Sequence, residues 1–491
     1  MRNYKELMAI VRTTEALKHS AGLISWDQET MMSKGSANQR AETLSALEEV
    51  IHLRVTDPKL EELILSVDKK KLNSIQKSNL KHIEKSHKKL KNIPVKLAKE
   101  IAHTTSLSQQ AWINARKQND PKDYYDILNK VIHLKKEEAK CLKKNNESLY
   151  DALIDTYEPE TKSENLKSIF DKLRKNIISI RELFELKNEN SFKFKKQFNK
   201  TAQLEFSYEL SDIFGFNKNI GRIDLSEHPF STGEGKDVRI TTRIDENDPF
   251  NCIYSTIHET GHAVYEQSIP EEFIFTPNGH GASMGVHESQ SRLFENQLGR
   301  SYEFCFWLFE KFKSKFNNFE ISSPQEFYEI VNSVHNNFIR TEADELQYNL
   351  HIMMRFDLEL EIINGNLSPR EIEGLWNEKF YNDFGFRVDC PNNGFLQDIH
   401  WSAGLFGYFP TYCLGNIYAA CIFEKMKIEI PNMMNDLKEG NTIKIRKWLT
   451  KNIYNIGNTL EPNIIIKKAI NNIPDEKPLS TYLKDKFNSL K

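Results

Sequence analysis

Apolar side chains recur at spacings of three and four over most of this chain. That rhythm commits it to helices that bury one stripe and leave the opposite face to water. It is clear over 3–23 and 38–66, where Leu44, Leu47, Val50 and Ile51 set the phase, and again over 105–150 and 161–188. Between the first two, residues 25–35 read as a turn-rich connection. The segment 69–99 carries eleven lysines against a single acid, Glu84. One reading is a basic arm for nucleic acid or anionic lipid. The simpler one is a solvated helix face, because Leu72, Ile75, Leu80, Ile83 and Leu90 supply a stripe to bury and no aromatic rings are interleaved for stacking. No internal repeat or low-complexity linker divides the chain, so one continuous helical architecture is expected.

The rhythm breaks at 204–250, where Gly, Pro and β-branched residues gather. Val238, Ile240 and Thr242 alternate there with Arg239, Thr241 and Arg243, the signature of a strand. Such a strand either offers unpaired backbone groups to an extended peptide or closes a small structural sheet. Helical spacing then returns with His258-Glu259-Thr260-Gly261-His262. Four residues make about one helical turn, so both imidazoles project from one face and can reach a single metal ion. Glu259, one residue round, is placed to accept a proton from metal-bound water instead of ligating. Gly261 costs a helix about 1 kcal/mol relative to Ala, which predicts something packed very close to its backbone. A catalytic zinc takes three protein ligands and keeps one position open. A second helix is expected over 286–296, and its Glu288 is the first candidate for the third ligand; Glu266, Glu295, His280 and His287 compete. Without a third ligand, the two histidines reduce to ordinary polar residues of a helix.

A net charge of −2 over 491 residues gives the whole molecule no general attraction to nucleic acid or anionic membrane. The N-terminus has no apolar signal core and no run reaches the length of a membrane span, so a cytoplasmic protein is expected. The six cysteines contain no C-x-x-C pair and read as reduced thiols.

Several separate signatures, in order, resemble the carboxypeptidase Taq family of metallocarboxypeptidases. His228-Pro229-Phe230 is similar to its HPF motif, and Asp237-Val238-Arg239-Ile240-Thr241 to its DxRxT motif. Residues 258–262 resemble its zinc helix, and His287-Glu288-Ser289-Gln290 its HESQ segment. Residues 339–344 resemble its I/V-R-x-x-A-D motif and 394–401 its GxxQDxHW motif. The likeness runs nearly end to end, from Trp26-Asp27 to 482–487. The resemblance implies an all-α, mainly helical fold of two lobes around a deep groove, with a small β-sheet patch beside the zinc helix. It implies a single catalytic domain over 1–491, with 1–200 as a mostly helical lobe, 201–420 as the zinc-site core and 421–491 as C-terminal helices. It further implies one Zn2+ per chain, with Co2+ as a substitute, a homodimer, and removal of single residues from peptide C-termini.

On this resemblance His258, His262 and Glu288 are the expected metal ligands and Glu259 the general base. The oxyanion needs further donors, for which His400, Tyr408 and Tyr412 are candidates; each also reads as ordinary core or rim packing. Asp344 or Asp398 is expected to orient a ligand histidine, or else to cap a helix. A free substrate carboxylate calls for a planar guanidinium. Arg340 comes first, in a stretch that reads as a helix lining the site, then Arg239 on the strand, then Arg292, with His228 as a further substrate contact. Two other functions remain open: a zinc endopeptidase or oligopeptidase on a related helical groove, and a metal-free helical scaffold.

Overall fold

In the computed structural model, which describes residues 1–184, 192–316, 319–365 and 367–490, the helical rhythm resolves into twenty α-helices among the described residues. The first four are α1 (Arg2–Thr30), α2 (Ala37–Val55), α3 (Pro58–Ser66) and α4 (Ser74–Asn92). Helices α1, α3 and α4 bury a small apolar core of their own around Leu7, Leu63 and Leu80. Then follow α5 (Val95–Gln118), α6 (Tyr125–Leu142), α7 (Leu149–Ile154), α8 (Ser163–Arg181) and α9 (Lys200–Phe214). Three strands, β1 (Gly221–Leu225), β2 (Ser231–Glu234) and β3 (Asp237–Thr242), lead into α10 (Pro249–Gln267) and α11 (Met284–Arg292). Next come α12 (Tyr302–Lys315), α13 (Pro324–Val331), α14 (Tyr348–Asn364), α15 (Pro369–Phe384) and the long α16 (Phe409–Glu429). The chain ends in α17 (Met433–Lys438), α18 (Ile443–Asn452), α19 (Pro462–Ile470) and α20 (Lys477–Asn488). From α5 onward the helices share one large apolar core. No helix among the described residues is long and apolar enough to cross a membrane, and the six cysteines are free.

Several expectations change in detail. Helix α1 runs on through Thr30, so Trp26 and Asp27 are helical and the turn is confined to 31–36. Helix α9 reaches Phe214, inside the stretch read as irregular. Helix α8 ends at Arg181, and residues 185–188 of the expected helix lie outside the described residues. In the lysine-rich segment Leu72, Leu80 and Ile83 are buried, whereas Ile75 and Leu90 are exposed. Lys69, Lys81, Lys85 and Lys91 pair with Glu84, Glu461, Asp155 and Glu61, as a solvated face would. Residues 339–344 form only a single tight turn, Arg340–Glu342, not a helix.

The sheet backs the histidine helix. Its strand order is β1-β3-β2, with β3 parallel to β1 (Ile223 opposite Ile240) and antiparallel to β2 (Thr232 opposite Arg239). Strand β3 is therefore central and has no free edge to offer a peptide; the outer edges belong to β1 and β2. Thr242, fully buried, donates to Cys252 O at 3.2 Å and lies 2.9 Å from Ser255 Oγ, which ties the end of β3 to the first turns of α10. Helix α10 starts where Asp248 accepts from Phe250 N at 3.0 Å and Pro249 occupies the first turn.

Helix α11 lies between α10 and α16, and a glycine faces it on each side. A Cβ at Gly261 would sit 2.6 Å from both Gln290 O and Ser291 Cα, and one at Gly415 would sit 2.5 Å from Glu288 Cγ. The close approach predicted at Gly261 is thus to the backbone of α11. Gly261→Ala is expected to lower stability by about 1–3 kcal/mol through overpacking, although Ala is the better helix former by about 1 kcal/mol. The unfolding midpoint in urea measures this, and a higher midpoint in the variant would show that the notch is not tight.

Candidate metal centre

The one-turn spacing on α10 and the crossing of α11 at Gly261 bring His258, His262 and Glu288 together. One ligand atom from each can be chosen so that all lie within 4.8 Å of one another. His258 Nε2 is 3.8 Å and His262 Nε2 3.5 Å from Glu288 Oε2. Each ring is held from behind through its other nitrogen. His258 Nδ1 is 2.8 Å from Glu295 Oε2. His262 Nδ1 is 2.7 Å from His287 Nδ1, and His287 Nε2 is 2.7 Å from Glu266 Oε1. Three of the competing ligands, Glu266, Glu295 and His287, therefore orient the histidines instead of joining them. His280 is held elsewhere, by Glu234 at 2.8 Å and Glu15 at 3.4 Å.

Arg292 completes this frame. Its Nε donates to Glu288 Oε1 at 2.7 Å and its Nη1 to Glu295 Oε2 at 3.2 Å, while its guanidinium covers the Tyr348 ring at 4.2 Å. Glu288, Arg292 and Glu295 are spaced by four and three residues and so share one helical face, a signal the sequence itself carries. Beyond Arg292 the helix widens into i→i+5 turns over Leu293–Leu298. Neither Asp344 nor Asp398 orients a ligand histidine. Asp344 accepts from Gln347 N and Nε2 at 3.0 and 2.6 Å, and Asp398 pairs with arginines.

The charges suit a cation. Burial works against ionisation of Glu288, but Arg292 and the two histidines outweigh it and hold the carboxyl well below the usual range. Glu295 is likewise opposed by burial yet brought down to about 2, chiefly by Arg292 and by its bond to His258. Burial pulls His262 down to about 4, which leaves a neutral imidazole able to ligate. Burial also pulls on His258, but Glu288 and Glu295 overcome it and raise the group. Glu259, 7 % exposed, is pushed up to about 7 by burial. Two oriented imidazoles and one ionised carboxylate are the donor set of a divalent metal site, and these residues fit one.

A second group lies on the elements that meet α11 and α14. Arg340 Nε donates to Asp398 Oδ1 at 2.9 Å, and its Nη1 donates to Tyr348 OH at 3.3 Å. Arg355, fully buried, donates from Nε to the other Asp398 oxygen at 2.6 Å. Two guanidiniums thus share one carboxylate, and a positive charge is left over. Burial opposes the charge on Arg340, yet Asp398 keeps it fully ionised. His400, pulled down by burial to about 4, stacks on Phe409 at 4.4 Å and lies 3.4 Å from Tyr412 OH. Tyr408 and Tyr412 open α16, with rings 5.2 Å apart, and the Tyr408 hydroxyl lies 4.0 Å from Met284 Sδ. Arg239 is bonded to Asp237 at 2.9 and 3.1 Å and covers the Trp26 ring at 4.3 Å. His228 is exposed on the loop after β1. Among the described residues, neither Arg239 nor His228 makes a polar contact with either group.

Known proteins share this fold. The sequence profile of the carboxypeptidase Taq (M32) metallopeptidases matches residues 6–487. The thermostable carboxypeptidase 1 of Thermus thermophilus is 35 % identical over 99 % of this chain and 98 % of its own, and that of Pyrococcus furiosus is 32 % identical over 98 % of each. The crystal structure of the M32 carboxypeptidase from Deinococcus radiodurans superposes with a TM-score of 0.96 at 31 % identity, covering 100 % of this chain and 99 % of that one. A profile match over nearly the whole length, joined to full-length relatives of the same name, settles the class: the chain belongs to the carboxypeptidase Taq (M32) family and is a metallocarboxypeptidase, a hydrolase that depends on a divalent metal.

Proposed function

We propose that the protein is a zinc carboxypeptidase that releases single amino acids from the C-termini of peptides. The observation that carries this reading is the convergence of His258, His262 and Glu288 beside a buried Glu259, on a framework that also holds an arginine with charge to spare. His258, His262 and Glu288 hold one Zn2+, with Co2+ able to replace it. When bound, the cation polarises the scissile carbonyl and lowers the pKa of water from 15.7 to about 7. Glu259 takes the proton of the attacking water and passes it to the amine as the C–N bond breaks. Tyr408, Tyr412 and His400 supply the oxyanion donors, worth about 3 kcal/mol each in comparable sites.

Arg340 binds the free carboxylate of the substrate through two parallel hydrogen bonds. Asp398 and Arg355 keep it in place, and because the single Asp398 carboxylate answers two arginines, a second carboxylate is welcome there. Arg239 and His228 rank below it as substrate contacts, Arg239 because its guanidinium is already bonded to Asp237. The single catalytic domain over 1–491, a homodimer and a cytoplasmic location accompany this reading, since the same resemblance and sequence features imply them.

Metal binding, turnover and the direction of cleavage each test it. Glu288→Gln is expected to weaken metal binding by about 10-fold or more, read by competition with a chelator; full metal content in the variant would remove Glu288 from the ligand set. Glu259→Gln is expected to keep the metal and lose about 10²–10⁴-fold in kcat with little change in KM. Wild-type turnover there would take the proton-transfer role away from Glu259. Mass spectrometry of peptide digests is expected to show residues leaving singly from the C-terminus. Amidated peptides should resist, and Arg340→Lys should raise KM for free-carboxylate peptides. Equal cleavage of amidated and free peptides would point to an endopeptidase instead.

A further inference from the structure

Glu158 is 1 % exposed, and among the described residues no lysine, arginine or histidine pairs with it. Burying a carboxylate without a counter-charge is costly unless other donors answer it. Here the donors come from the start of α11. Gly285 N donates to Glu158 Oε2 at 2.9 Å, and from α16 the Tyr418 hydroxyl stands 3.5 Å from Oε1. A Cβ at residue 285 would lie 2.6 Å from Glu158 Oε2, so a glycine there lets the carboxylate reach the backbone. The neighbouring Met284 N donates to Tyr157 O at 3.1 Å. Residues 157 and 158 thereby take two of the free N–H groups at this helix end, and the carboxyl, pushed up to about 7 by burial, faces the positive end of the helix dipole.

The same short segment touches the other side of the site. The Tyr157 ring meets the Tyr408 ring edge-on at 5.0 Å. A Cβ at Gly407 would lie 2.8 Å from Ile154 N, and Gly407 N donates at 2.9 Å to Glu359, which also accepts from Tyr150 OH at 2.6 Å. Helix α7 and the turn after it therefore brace both the first turn of α11, which carries Glu288, and the residues that open α16. The glycine notches at Gly261 and Gly415 set how closely α11 approaches its neighbours. A contact at the end of the helix adds a restraint along its axis.

We propose that Glu158 is a positioning residue for the metal ligand Glu288, holding α11 at its N-terminal end so that Glu288 stays in register with His258 and His262. This rests on the assignment of Glu288 as a ligand. The test is the Zn2+ dissociation constant by chelator competition, with kcat and KM, at a temperature where circular dichroism shows each variant folded. Glu158→Ala is expected to raise Kd by about 10-fold or more and to lower kcat with KM nearly unchanged. Glu158→Gln keeps an acceptor for Gly285 N–H and loses only the charge, so a smaller rise of about 3-fold is expected. A merely structural role would lower the melting temperature and leave Kd alone. Kd and kcat within about 2-fold of wild type in folded Glu158→Ala overturn the proposal. If that variant does not fold, Glu158→Gln decides on the same threshold. Glu288→Gln measured alongside separates the two failures: if it binds Zn2+ like wild type, the ligand assignment falls; if it loses Zn2+ while the Glu158 variants do not, only the present inference falls.

Discussion

The close packing of α11 between α10 and α16 is the contact on which the rest of the site depends. The histidine pair needs only one helix, but a third ligand needs a second helix brought close enough for a glutamate to reach both rings. Side chains larger than hydrogen at 261 or 415 would meet α11 at 2.5–2.6 Å. Interiors are packed too densely to absorb such an overlap without moving a helix. Glycine is a poor helix residue, so its presence on both neighbours of α11 costs intrinsic helix stability at two places. Burial around α10 and α16 offsets that cost, since most residues of both helices lie in the interior.

Charge is organised around the same contact. Arg292 stands between Glu288 and Glu295, so one cation serves both the carboxylate of the candidate site and the group that orients His258. Tyr348 joins this arrangement to the second one: its ring lies under Arg292 and its hydroxyl accepts from Arg340. Arg340 in turn shares Asp398 with Arg355. A chain of direct contacts therefore runs from Glu288, the proposed third ligand, through Arg292 and Tyr348 to Arg340. Buried ions are costly unless they are paired and hydrogen-bonded, and here each has an ion partner, although Arg340 and Arg355 share a single one.

What could be read in advance followed from local chemistry. The spacing of His258 and His262 and the helices around them are properties of a few neighbouring residues, and the order of the motifs added Glu288. What could not be read depends on contacts made across long sequence separations. Residues 339–344 contain nothing that forbids a helix. The turn there is held instead by Gln397 Oε1, which accepts from Arg340 N at 2.9 Å, and by Asn337 Oδ1, which accepts from Ile339 N at 2.8 Å. Residues 25–30 look like a turn by composition, yet Arg40 on α2 bonds to Ile24 O and to Asp27, and α1 continues. The partners behind the two histidines, Glu295, His287 and Glu266, are by residue type rival ligands. Their role depends on where α11 crosses α10, and no spacing within one helix encodes that crossing.

The sheet bears on how a peptide is recognised. A strand close to a catalytic helix invites the idea that substrate joins it as an extra strand, but β3 already spends its backbone groups on β1 and β2. Its inner face is equally occupied, since Thr242 engages Cys252 and Ser255 while Thr256 Oγ1 donates to Thr242 Oγ1 at 3.1 Å. These hydroxyls are bonded to one another in the interior, where an unpaired polar group would cost about 1–3 kcal/mol. The strand thus acts as a rigid backing that fixes the first turns of α10, and through them the direction in which His258 and His262 point. With both edges of β3 paired, the proposed reading places selectivity for a peptide end in side chains, chiefly in the Arg340 guanidinium, which shares its carboxylate partner with a second arginine.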